Sequence, residues 1–223
     1  SSSTAAFGAS TGTVTWNGAA ASIAGTAATT FNNLTVNNGA NTLTISTVPT
    51  VNGVLTLTSG TVALGTVGLI AKGNVINNSS AAPFTGTTGA FQFAGTSPQS
   101  LSGSFATTFP RLTLNNASGL TLNNTATITT ALTLTNGAVT TGANSLTLSA
   151  GTATVTRTNG YVIGNFTKAF ATGSNVTKIF EIGTDVAYAP VSLTFPSITT
   201  AGNLTATTVG TEHPDVANSG LDA

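Results

Sequence analysis

Apolar residues recur at every second position through most of this chain, in short runs of nearly the same make-up. Leu55-Thr-Leu57, Leu132-Thr-Leu134 and Leu146-Thr-Leu148 each alternate Leu with Thr. A period of two sends the apolar side chains to one face of a strand and the Thr side chains to the other. Thr and Val are β-branched and suit a pleated surface. Asn and Gly steps interrupt the runs at short intervals, as at Asn37-Asn38-Gly39, Asn52-Gly53, Ser59-Gly60, Asn123-Asn124 and Asn136-Gly137. These residues accept the left-handed backbone that tight corners require. No amphipathic helix of convincing length breaks the pattern.

The pattern is also duplicated. Gly12-Thr-Val-Thr-Trp16-Asn-Gly18 matches Gly89-Ala-Phe-Gln-Phe93-Ala-Gly95, and Phe31-Asn-Asn-Leu34-Thr-Val36-Asn-Asn38 matches Phe109-Pro-Arg-Leu112-Thr-Leu114-Asn-Asn116. Ile23, Leu43 and Leu55 find counterparts in Leu101, Leu120 and Leu132 at nearly the same offset. Short, evenly spaced strands with Asn/Gly corners and internal repetition predict an all-β chain built as a parallel β-helix, or β-solenoid. With coils of roughly 20 to 25 residues, residues 1–158 make six or seven coils and a rod of about 30 Å. The duplicated parts are 12–62 and 89–139. Two β-sandwich repeats, one per copy, are the competing architecture.

Charge narrows the function. No Asp or Glu precedes Glu181, and no charge of either sign precedes Lys72. Charged residues are 4% of the 223, and five Lys/Arg balance five Asp/Glu; ordinary soluble domains carry about 25%. Nucleic acid is an unsuitable partner, because phosphate binding needs clustered cations. Glycan-cleaving β-helices use several carboxylates in one groove, and the rod has none to offer. The expectation is therefore a non-enzyme without cofactor or metal. Cysteine is absent, so there is no disulfide framework or thiolate site. No apolar run approaches the roughly 20 residues of a membrane helix, so membrane insertion is not expected. The chain opens Ser-Ser-Ser and contains no Met; we read it as a secreted chain whose leader has been removed.

The texture changes near Asn159-Gly160. Tyr161-Val-Ile-Gly-Asn-Phe166, Lys178-Ile-Phe-Glu-Ile182 and Val191-Ser-Leu-Thr-Phe195 are longer and more aromatic, and all five acids lie beyond this point. Residues 159–223 are expected to form a small antiparallel, β-sandwich-like module of three or four strands, completed by a neighbouring subunit. The rod's leading tip has no charge to discourage strand pairing. Phe7 and Val14 are then candidate donors near the tip, and Tyr161, Phe166, Val191, Leu193 and Phe195 candidate acceptors, for assembly of the chain with copies of itself by strand addition.

The run GxVxWNG … FxNLTVNN … GxLTLTSG, followed by YVIGNFTKAF … IFEIGT … YAPVSLTF … EHPD, resembles the repeat regions of large secreted bacterial cell-surface proteins, β-helical and adhesin- or filament-like. The resemblance implies secretion, exposure at the cell surface and a structural or adhesive role. It supplies no catalytic residues. Two function classes follow: a self-assembling filament or surface-layer subunit, and a monomeric adhesin stalk or carbohydrate- or ice-binding module, with surface glycans as partners.

Three smaller features have structural readings. Glu212-His213-Pro214-Asp215 holds the lone histidine; it reads as a solvated loop opened by proline, since zinc or triad chemistry needs further groups. Thr-x-Thr pairs recur at uneven intervals, which spreads them over several faces. Trp16 and Phe93, equivalent in the duplication, read as core plugs.

Overall fold

A computed structural model describes residues 11–19 and 21–208. The described chain contains strands and no helix. It winds as a β-solenoid of eight turns, followed by a small antiparallel part. The first coil holds β1 (Thr13–Trp16), β2 (Ala21–Ile23) and β3 (Thr30–Phe31). The second and third are β4 (Asn33–Ile45) with β5 (Thr50–Val51), and β6 (Leu55–Ala63) with β7 (Leu69–Ala71). The fourth is β8 (Val75–Asn77), β9 (Phe84–Thr85) and β10 (Phe91–Phe93). Then come β11 (Gln99–Ser102) with β12 (Thr107–Asn115), β13 (Leu120–Leu122) with β14 (Ala126–Asn136), and β15 (Ala138–Leu148) with β16 (Thr154–Arg157). The eighth coil is β17 (Tyr161–Phe170). Beyond it lie β18 (Gly173–Phe180), β19 (Ile182–Gly183), β20 (Val191–Ile198) and β21 (Gly202–Ala206).

Each coil has three faces, and like residues stack along each face. On the first, Val14, Leu34, Leu55, Val75, Leu101 and Leu122 are register partners. On the second, Phe109, Ile128 and Leu148 follow one another. On the third, Phe31, Val51, Ala71, Phe93, Leu114 and Leu134 form one column. The residues from Leu34 to Leu134 in these columns are 0–2% exposed. Alternation is thus the whole cause of the core: each buried residue lies directly over another, and the intervening Thr residues face outward. Where the column narrows at Ala71 and Val75, Phe84, Phe91, Phe93 and Phe109 fill the interior with ring centroids 4.7 to 6.4 Å apart.

The duplication does not coincide with the coil. Val54 and Asn33, on successive coils, are 21 positions apart. The duplication offset is therefore three such coils and two further faces. Leu34 lies on the first face but its counterpart Leu112 on the third; Leu43 lies on the second and its counterpart Leu120 on the first. The repeated unit is a strand with its corner, and it serves any face.

The expected boundary at 158/159 needs correction. β17 is not part of an antiparallel module: Val162 continues the Leu120–Val139 stack, and Phe166 sits on Leu146. Its aromatic content marks the end of the rod, where β19 adds one short parallel rung and Ile182 sits on Val162. The antiparallel part comprises a two-stranded sheet of β18 and β20 together with β21, which runs antiparallel to β17.

Candidate functional site

The two ends of the rod differ, and the difference arises from single positions in the columns. At the leading end, β1, β2 and β3 each pair with the next coil and, among the described residues, with nothing on their other side. Val14 and Trp16 are half-buried against the core. A recess of about 320 Å³ opens beside Trp16, lined by Thr15, Asn17, Gly18, Ala19 and Ala21. No charged residue lies in this coil or the next.

At the trailing end, two apolar columns reach cations, and one of these, Lys168, is covered in turn by Leu204 of β21. Leu134 is followed in register by Arg157, and Leu148 by Lys168. The Arg157 guanidinium lies 3.5 Å over the Tyr188 ring and donates through Nε to the Gly160 carbonyl at 2.8 Å. Lys168 Nζ contacts the Glu181 carboxylate at 2.6 Å, with side-chain exposures of 6% and 12%. The ammonium also donates to the Ile179 carbonyl and lies 4.8 Å and 5.5 Å from the Phe166 and Phe180 rings. Burial pushes Lys168 below its ordinary value, against the hydrogen bond and charge of Glu181 and in concert with nearby Lys178. Lys178 donates to the Gly151 carbonyl at 2.8 Å, and burial lowers its value too. Five of the seven charged side chains among the described residues belong to this end: Arg157, Lys168, Lys178, Glu181 and Asp185.

The β18–β20 hairpin lies against this end. Val176, Leu193, Phe195 and Ile198 pack on the core, and Phe195 meets Phe170 edge-on at 5.4 Å. This corrects the acceptor set expected from sequence. Phe166 is fully buried beneath Phe180 and cannot meet another chain. Leu193 and Phe195 turn toward their own rod. Tyr161 packs against Tyr188. Val191, 39% exposed, remains at the surface. Of the donors, Val14 sits on β1 at the leading end, while Phe7 lies outside the described residues, as do Glu212, His213, Asp215 and Asp222. Trp16 and Phe93 both serve the core, Phe93 fully and Trp16 in part.

Sequence reasoning missed the arrangement of the threonines. On the second face Thr108, Thr127, Thr147, Thr167 and Thr205 are successive register partners. Nearer the tip, Thr44, Ala63 and Thr85 are register partners on the same face. It also missed Arg157, Lys168, Glu181 and Tyr188. The available signal was the clustering of charge just where the Leu-Thr alternation ceases.

Among the described residues, no helix is long and apolar enough to cross a membrane, and no three His, Cys, Asp or Glu cluster as a metal site. No family description, curated protein or solved structure matches the chain.

Proposed function

We propose that this chain is an extracellular structural rod that joins copies of itself end to end into a filament or surface layer. One observation carries the reading: the leading coil presents β1, β2 and β3 with one strand neighbour each among the described residues, and with no charge. Such an edge offers a row of N–H and C=O groups to any strand that approaches. The acceptor is the outer edge of β21, which pairs with β17 on one side alone among the described residues. Leading coil onto β21 is a heterologous contact, and such contacts propagate. The β18–β20 hairpin covers part of the trailing end, so the contact has one polarity. The scarcity of charge and the resemblance to cell-surface repeats support the location.

Negative-stain microscopy of the purified chain tests this. The reading expects ordered polymers; dispersed rods of about 40 Å, the length of eight turns at strand spacing, would overturn it. The second reading, a monomeric binding module, is favoured by a polar groove on the shaft.

A further inference from the structure

We propose that a groove at one corner of the rod binds an acidic oligosaccharide, a chain of uronic acid units, through Lys72. The corner joins the third face to the first. Three successive coils contribute to it: Asn52, Gly53 and Val54; Lys72, Gly73 and Asn74; Thr96, Ser97 and Pro98. They line a half-open groove of about 430 Å³, within the range of small-ligand sites.

The groove follows from two local features of the sequence. Glycine makes its floor: a Cβ on Gly73 would lie 2.1 Å from the Gly53 carbonyl oxygen, so the two backbones nest where any other residue would hold them apart. A longer coil makes its lip. Asn74 and Ser100 occupy neighbouring coils but are 26 positions apart, against 21 for Asn33 and Val54, and part of the excess is the loop at 94–98.

That lip is held firmly from beneath. Gln99, 3% exposed, accepts from the Gly95 amide at 2.9 Å and donates to the carbonyls of Ala71 and Gly73. Asn116, 1% exposed, donates to Gln99 Oε1 and to the Ser97 carbonyl at 2.8 Å. Ser118 Oγ donates to the Thr96 carbonyl at 3.1 Å. One buried amide network therefore ties both walls together, and a ligand meets a preformed site.

The polar groups left over define the ligand. Within the protein, the Lys72 ammonium and the side chains of Asn52, Thr96 and Ser97 make no hydrogen bond. Asn74 uses its carbonyl oxygen on the Ser100 amide and keeps its NH₂ free. One ammonium, two carboxamides and two hydroxyls suit a ligand rich in hydroxyls that carries one negative charge per unit. Lys72 is the sole charged residue from 11 to 110, and no carboxylate precedes Glu181, so nothing on the shaft repels an anion. A lone cation is too little for a nucleic acid, which needs several phosphate contacts.

Titration of the ¹⁵N-labelled chain with tri-galacturonate, followed by amide shifts, tests the assignment. The expected result is movement of residues 52–54, 72–74 and 96–98, an affinity that falls with salt, and a loss of about tenfold or more in Lys72→Gln with no loss in Arg111→Gln. Lys72 is exposed, so its variant keeps the fold, which the unshifted resonances verify. Equal shifts with neutral maltotriose, equal shifts with sulfate alone, or unchanged binding by Lys72→Gln would each overturn it. The groove is independent of end-to-end joining: a chain that stays single and binds the sugar keeps this proposal and loses the other.

Discussion

Removing the Glu181 carboxylate should loosen the trailing end far more than removing the whole ion pair. Lys168 stands where a Leu or Ile would continue the Ile128–Leu148 column. Its ammonium has Glu181, the Ile179 carbonyl and two aromatic rings around it. With side-chain exposures of 6% and 12%, water screens the pair weakly. Glu181→Gln leaves a buried cation without its counter-charge, a change that costs about 3–5 kcal/mol. Lys168→Leu with Glu181→Leu replaces both charges by apolar atoms and extends the column. That double change is neutral or stabilises by up to about 4 kcal/mol. Stacked coils need not unfold as one unit, so hydrogen exchange of the β17, β18 and β20 amides is the suitable assay. The single variant should accelerate exchange there and leave β4 and β6 unaffected. The double variant should restore protection. If the two variants exchange alike, the pair is not the buried tie described above.

Further outcomes follow from glycine contacts, buried amides and buried lysines. Gly73→Ala, whose Cβ would meet the Gly53 carbonyl, should lower stability by about 1–3 kcal/mol in denaturant titrations. Gly18→Ala has nothing within 4 Å, and should be neutral or stabilising by up to about 1 kcal/mol. Asn38 is 2% exposed and its side-chain amide has no partner, so Asn38→Leu should be neutral or stabilising. Asn77→Leu, which loses bonds to Ser80, Ala106, Thr107 and Ser79, should cost about 1–3 kcal/mol by the same measurement. For pH, burial holds Lys168 and Lys178 below 10.5 in the folded chain. The unfolded chain keeps those protons to higher pH, so stability rises as pH climbs through the lowered values and levels off above 10.5. Thermal melts of the parent should show this rise, and Lys168→Met should reduce it.

The rod was legible because a stacked column needs only alternation. Leu34, Leu55 and Leu101 announce their burial by the Thr35, Thr56 and Ser102 that follow them and open the alternation. The end of the rod was not legible, because β17 keeps the same alternation with larger residues: Val162 and Phe166 read as a new kind of strand and are the last coil of the old one. The acceptor surface failed for a related reason. Leu193 and Phe195 are apolar at a period of two, and a period of two does not say whether the covered face belongs to the same chain or another. Nor could linear spacing show that threonines from coils of unequal length fall into one column on the second face. Arg157 and Lys168 become intelligible only once Leu134 and Leu148 are seen to precede them in register. The corner groove depends on a five-residue excess in one coil, invisible until the coil length is known.

Sedimentation velocity across a concentration series at high salt tests the central claim most directly, with the parent compared against a chain carrying Thr15→Lys and Ser22→Lys. Both positions are exposed on the leading coil. The parent should sediment faster as concentration rises and should do so undiminished by salt, since few charges are there to screen; the lysine chain should remain single. A parent that stays single at every concentration, or a lysine chain that associates as the parent does, would contradict the account.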